Sequence, residues 1–135
     1  MRKKLFILFI ILGGLVMAFS LNGNIQKNKE AERNRQYEVS LVKKLKDSYS
    51  EINKIVISDV EFENKPTNWH CQLLILFSDG KHIQFGTSYS LTTNNFSTGG
   101  IKRKQNGEWE DLQSRKGKTV STIKVIYSNG EEDLQ

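Results

Sequence analysis

Three Asp-Gly or Asn-Gly dipeptides constrain the fold of this chain most strongly, because they mark places where strands can reverse. They occur in "FSDGK", "KQNGE" and "YSNGE", at Asp79-Gly80, Asn106-Gly107 and Asn129-Gly130. Two-residue type I′ hairpin turns need positive φ at both central residues, and these residue types tolerate it best. The first two dipeptides lie between strand-like runs, and the third leaves room for only a short return strand. The sequence therefore predicts antiparallel hairpins.

Strand-like segments surround these turns. "KIVISDVEFE" is rich in β-branched residues, and "WHCQLLILF" is apolar on both faces in its second half, as in a central strand. Further segments read "KHIQFGTSYS", "IKRKQ", "EWEDLQ" and "TVSTIKVIYS". Together they predict an antiparallel β-meander of about five to seven strands.

One amphipathic helix is predicted ahead of the strands, over roughly residues 30 to 52. Its apolar residues recur at helical spacing; they are Leu41, Val42, Leu45, Tyr49 and Ile52. A basic amphipathic helix could also lie on a lipid surface, but acidic residues within the segment favour packing on the sheet. A helix covering one face of a sheet gives an α+β fold class.

The N-terminal segment predicts a transmembrane helix. "MRKK" is basic, and "LFILFIILGGLVMAFSL" carries no charge. A helix over this run would be roughly 26 Å long, near the short limit for a hydrocarbon core of about 30 Å. Basic residues before the run favour a single pass with the C-terminal domain outside the cell membrane. The alternative is a signal peptide cleaved near Ser20, which would release the domain by secretion.

The chain therefore divides into three predicted parts: an anchor or uncleaved signal over 1–21, a polar stalk over 22–36 and an extracytoplasmic α+β domain over 37–135. The chain holds 20 basic and 15 acidic side chains, and three of the basic ones lie in the N-terminal tip. The exported part is thus close to neutral, which argues against nucleic acid as a partner. A single cysteine also excludes an internal disulfide.

His70, Cys71 and His82 are the residues that most resemble a metal or catalytic cluster. With Asp79-Gly80 as a two-residue turn, Phe77 faces His82, Cys71 faces Ser88 and His70 faces Tyr89. The histidines then lie near opposite ends of the hairpin, whereas zinc ligands must lie about 2 Å from one ion. His70 and Cys71, as strand neighbours, point to opposite faces. The sequence therefore predicts no metal, no cofactor and no Cys–His catalytic pair, with His70 stacked near Trp69 or Tyr89.

The second predicted hairpin, around Asn106-Gly107, pairs its own charges. The expected cross-strand pairs are Arg103 with Glu110, Lys102 with Asp111, and Lys104 with Trp109. Arg115, Lys116 and Lys118 are left without partners in this register. If the chain folds back, they share a face with Trp109 and form a candidate binding patch for an anionic polymer, a lipid headgroup or an acidic protein. The alternative is an ordinary solvated face.

In layout the chain resembles short single-pass anchored proteins of unknown function from low-GC Gram-positive bacteria. The resemblance is carried by the basic tip, the apolar run without a cysteine and the charged stalk. Three later segments add to it: "YSEINKIVIS", "NWHCQLLILFSDG" and "GKTVSTIKVIYSNGEE". Some small anchored proteins of this type are immunity proteins that meet a secreted toxin outside the membrane. The resemblance implies no catalytic or binding residue.

The sequence thus favours a non-enzymatic, membrane-anchored extracytoplasmic module that binds another protein, with immunity or envelope accessory proteins as special cases. The alternative function is binding of an anionic envelope polymer or lipid headgroup through Trp109, Arg115, Lys116 and Lys118. A hydrolase is disfavoured, because no nucleophile and acid–base constellation follows from the predicted registers.

Overall fold

The computed structural model describes residues 25–64 and 67–135. Within them the chain forms three helices and six strands. In chain order these are α1 (Ile25–Ser48), β1 (Ile52–Asn64), β2 (Thr67–Phe77), β3 (His82–Ser90), β4 (Asn95–Phe96), α2 (Gly99–Lys104), α3 (Glu108–Ser114), β5 (Lys124–Ile126) and β6 (Glu132–Leu134). The predicted anchor over 1–21 lies outside the described residues.

The predicted amphipathic helix is confirmed as α1, which packs on the sheet. Leu41, Val42 and Leu45 are fully buried, as their spacing predicted. The helix ends at Ser48, earlier than the sequence indicated, and Ile52 already belongs to β1. The Ser48 hydroxyl donates to the Lys44 carbonyl at 2.7 Å, and Glu51 takes a left-handed φ of 62° that turns the chain into the strand.

The six strands form one mixed sheet in the order β4-β3-β2-β1-β5-β6. Strands β1 to β4 are the predicted antiparallel meander. Strand β5 instead pairs parallel to β1, so the expectation of a wholly antiparallel sheet is wrong. The reason is the connection through α2 and α3, which returns the chain to the free edge of β1 by a crossover. Strand β6 then pairs antiparallel with β5 around Asn129-Gly130.

Two of the three predicted turns are hairpins, but neither is of type I′. Gly80 and Gly130 have φ near 90°, whereas Asp79 and Asn129 do not have positive φ. Phe77 N–H donates to the Lys81 carbonyl at 2.8 Å, so three residues form the loop. A three-residue loop with glycine at its left-handed position is the next most common hairpin. It shifts the β2–β3 register by one residue from the predicted one, and Cys71 pairs with Thr87 instead of Ser88.

The remaining dipeptide, Asn106-Gly107, does not close a hairpin. It joins the short helices α2 and α3, so the predicted strands there are wrong. Gly107 has a φ of 91°, and the Asn106 side chain accepts a hydrogen bond from the N–H of Glu108 at 3.1 Å. The charges favour helices, because basic residues fill the last turn of α2 and acidic residues the first turn of α3.

The cross-strand pairs predicted for this segment do not form. Lys104 at the end of α2 binds Glu108 at the start of α3, with 2.6 Å between ammonium and carboxylate, instead of facing Trp109. Lys102 lies over the Trp109 ring, 4.7 Å from its centroid. Ile101 and Leu112 are fully buried and extend the core formed by α1 and the sheet. The helices thus cover the same side of the sheet.

Candidate functional site

One side of the sheet faces away from the helices. Along β3 the side chains of Ile83, Phe85 and Thr87 are buried, while His82 and Gln84 between them are exposed. Side chains alternate between the two faces of a strand. We call the side that carries His82 and Gln84 the open face.

A row of aliphatic side chains crosses the open face. Val56 on β1 pairs with Leu74 on β2 and with Ile126 on β5, so the three lie side by side. Leu76 lies next to Leu74 on the same face. We call these four residues the apolar row. All four are half-buried, because side chains of neighbouring strands cover their sides and no described helix covers them from above. An apolar group of this kind on an otherwise polar face is typical of a contact surface.

Two lysines border the apolar row. Lys54 and Lys124 are directly opposite each other on parallel strands, and like charges in this position repel. Lys124 is compensated by Glu132, whose carboxylate lies 3.3 Å from its ammonium. Within the described parts of the chain, Lys54 has no ion pair. It is therefore available for a carboxylate from outside the molecule.

The other end of the open face is a polar cleft of about 740 Å³. A bulge between Ser58 and Glu61 bends β1 at its rim, and Asp59 there has a φ of 51°. Such a conformation is uncommon outside glycine and is often found beside functional sites. His70 lies 3.5 Å from Glu61, and the exposed Arg103 also lines the cleft.

The observed register places Glu61, His70 and Ser88 side by side in a row, which the sequence did not predict. His70 pairs with Glu61 on one side and with Ser88 on the other, not with Tyr89. The predicted register kept these side chains apart, whereas the observed one makes a hydrolase depend on whether Ser88 is hydrogen-bonded to His70. The Ser88 hydroxyl lies 3.3 Å from that of Ser97, and among the described residues it makes no hydrogen bond to His70. An activated nucleophile needs that bond, so the row lacks one element of a catalytic triad.

The side chains of the suspected metal cluster do not converge on one point. His70 pairs with Ser88 and His82 with Leu76, so the histidines lie at opposite ends of the β2–β3 pair. Cys71 points to the helix side, away from His70, as predicted. Burial and then the nearby Glu38 charge raise the pKa of its thiol to about 12. No group of three metal-ligating side chains occurs in the described ranges.

Arg115, expected to be unpaired, is the most heavily engaged of the predicted binding residues. It lies 3.0 Å from Asp79 and 3.2 Å from Asp111, and its guanidinium is 4.2 Å from the centroid of the Phe77 ring. The prediction missed these contacts because it placed the residue after a hairpin. Arg115 directly follows α3, one helical turn after Asp111, so the two side chains meet.

The other members of the predicted patch are less constrained. Lys116 is exposed and bridges to Tyr49 through its backbone. Lys118 is exposed and lies 3.8 Å from Asp47. Trp109 is half-buried beneath Lys102. The patch therefore offers two exposed lysines and no unpaired arginine.

No family model, curated protein or solved structure matches the chain. Among the described residues, no helix has both the length and the apolar character needed to span a membrane.

Proposed function

We propose that this chain is a membrane-anchored extracytoplasmic module that works without catalysis, by binding another protein across its open face. Immunity and envelope accessory proteins are special cases of this activity. The anchor and its orientation rest on the sequence of residues 1–21 alone. The binding surface rests on the apolar row, which is the observation that carries the proposal.

The apolar row suits the centre of a protein interface. Full burial of an aliphatic side chain contributes about 1.5–3 kcal/mol of stabilisation. A half-buried residue would therefore gain roughly half of that free energy when a partner covers it. Protein interfaces combine such an apolar core with a polar rim. Here the rim includes Gln84, His82 and Lys54. Because Lys54 makes no ion pair with any described residue, the partner is expected to present a carboxylate beside apolar side chains.

Binding of an anionic envelope polymer is the second candidate. Its support is the exposure of Lys116 and Lys118 near one end of α3. The engagement of Arg115 with two carboxylates weakens this candidate, since those acids already neutralise its charge locally. Steep loss of binding with added salt would favour the polymer over a protein held by apolar contacts.

The proposal can be tested by photo-crosslinking on intact protoplasts. A photoreactive amino acid is placed at Leu74 on the open face, or at Val120, which is 87 % exposed and serves as the control position. The expected result is a discrete protein adduct from position 74 only, lost when Val56→Glu places a charge in the apolar row. No adduct at position 74, or the same adducts from both positions, would contradict the proposal.

A further inference from the structure

A second cleft, of about 450 Å³, lies where β2, β3 and β4 meet the side of α1 that carries Tyr37. Its volume falls within the range of small-molecule sites, about 300–1,000 Å³. Four aromatic residues line it; they are Tyr37, Trp69, Tyr89 and Phe96. Apart from Leu91, every other lining residue carries an uncharged amide or hydroxyl group. Among the described residues, no charged side chain takes part in the lining.

The aromatic side chains of the cleft pack on one another. Tyr37 stacks on Trp69 with their centroids 5.2 Å apart and the planes 18° from parallel. It also meets the edge of Tyr89 at 6.4 Å. Trp69 is only 1 % exposed, whereas Tyr37 is half-buried. The cleft therefore presents aromatic rings that are already in position after folding. Ligand binding then carries a smaller entropy cost for ordering these side chains.

The polar wall contains amides that no described residue satisfies. Asn68 and Asn95 line the cleft, and neither side chain makes a hydrogen bond within the described parts of the chain. Asn94 next to them differs, because its side chain accepts a hydrogen bond from the Tyr89 hydroxyl at 2.5 Å. Each free amide offers two donors and one acceptor. A ligand with paired hydroxyl or amide groups would match them.

We propose that this cleft binds a short uncharged saccharide. Sugar rings have apolar C–H faces that pack on aromatic rings, and their rims carry hydroxyl groups that pair with amides. The described lining residues carry no charge, which disfavours anionic polymers, nucleotides and charged peptides, because a buried charge without a partner is costly. The site is independent of the apolar row, and no covalent step is involved.

The test uses the full chain in a detergent without sugar headgroups, because a glycosidic detergent could occupy the cleft. Trp109→Phe leaves Trp69, beneath Tyr37, as the single indole reporter. The probes are the neutral trimers chitotriose and cellotriose, and a trimer of galacturonic acid as the anionic comparison. The expected result is a saturable change in Trp69 fluorescence with at least one neutral trimer and none with the acidic trimer.

Two variants locate the site. Asn95→Ala removes an exposed amide without disturbing a described contact and should weaken binding about three- to tenfold, the effect of one lost hydrogen bond. Asn53→Ala removes an exposed amide at the opposite end of β1 and should leave binding unchanged. A Val56→Glu variant should also bind normally, which separates this site from the protein-binding proposal.

Three outcomes would overturn the proposal. The first is the absence of a response to either neutral trimer at millimolar concentration. The second is an equal response to the acidic trimer. The third is equal affinity of the Asn95→Ala and Asn53→Ala variants, confirmed by isothermal titration calorimetry, which would place any bound sugar elsewhere.

Discussion

Glu38 of α1 is hydrogen-bonded to Ser128, ninety residues further along the chain. Its carboxylate accepts from the Ser128 N–H at 3.0 Å and from the Ser128 hydroxyl at 2.6 Å. Glu38 is only 2 % exposed, and a carboxylate is costly to bury without donors. The contact joins α1 to the turn between β5 and β6, the two strands that the crossover adds to the meander.

Replacing Glu38 by alanine should lower the free energy of unfolding by about 1–3 kcal/mol, because hydrogen bonds to a carboxylate are lost in a buried place. Urea denaturation followed by tryptophan fluorescence measures the change. Glu110→Ala is the matched control, since Glu110 is an exposed helical glutamate, and it should change stability by less than about 0.5 kcal/mol. Equal effects of the two changes would contradict the role assigned to Glu38.

Arg115 and its neighbour Lys116 should behave differently when each is changed to alanine. Arg115→Ala removes two ion pairs and the contact with the Phe77 ring, and should cost about 1–2 kcal/mol. Lys116→Ala removes an exposed side chain and should cost less than about 0.5 kcal/mol. Thermal melts of the two variants compare them directly. Similar melting temperatures would support the solvated face that the sequence alone suggested for both residues.

Asp79 should make stability depend on acid pH. A hydrogen bond from the Lys81 N–H and then one from Arg115 lower the pKa of this carboxyl. Because the folded-state pKa is depressed, the stabilisation is complete above the ordinary carboxyl value near 4 and is lost as the pH falls through the lowered pKa.

Asp79→Asn tests this pH dependence, because the amide oxygen can still accept from Lys81 while the charge is lost. The difference in urea midpoint between the original protein and the variant should be largest near neutral pH and should shrink towards about pH 2. A difference that stays constant over this range would show that the Asp79 charge does not contribute.

Cys71 should be unreactive in the folded protein. The residue is 3 % exposed, and burial, followed by the Glu38 charge, raises the pKa of its thiol to about 12. The thiolate is the reactive form, so alkylation by N-ethylmaleimide should follow the rate of unfolding. The same reagent in concentrated urea gives the control, in which Cys71 reacts completely. Rapid stoichiometric labelling without urea would show that the thiol is accessible in the native state.

Gly100 should tolerate substitution less well than Gly99 beside it. A Cβ atom at Gly100 would lie 2.5 Å from the carbonyl oxygen of Gly86, which belongs to β3. Gly100→Ala must therefore push α2 away from the sheet edge. A Cβ at Gly99 would meet only the flexible end of Arg103 at 3.2 Å. Gly100→Ala should lower the melting temperature and Gly99→Ala should change it little; the reverse order would contradict the packing described here.

Local patterns in the sequence determined the elements with strong periodicity. The spacing of Leu41, Val42 and Leu45 predicts α1 because three- and four-residue steps return to one face of a helix. The apolar run in β2 predicts a central strand, since both of its faces are at least partly covered. Asp79-Gly80 and Asn129-Gly130 correctly predict reversals, because glycine supplies the left-handed residue that the loops require.

Only the tertiary structure decided the features that depend on distant partners. One extra loop residue at Gly80 moved His70 opposite Ser88, and a dipeptide alone does not set that length. Lys102 and Trp109 belong to helices because Ile101 and Leu112 reach the shared core, which outweighs the hairpin preference of Asn106-Gly107. The parallel pairing of β5 with β1 created the apolar row, since neither strand's sequence specifies its neighbour across the sheet.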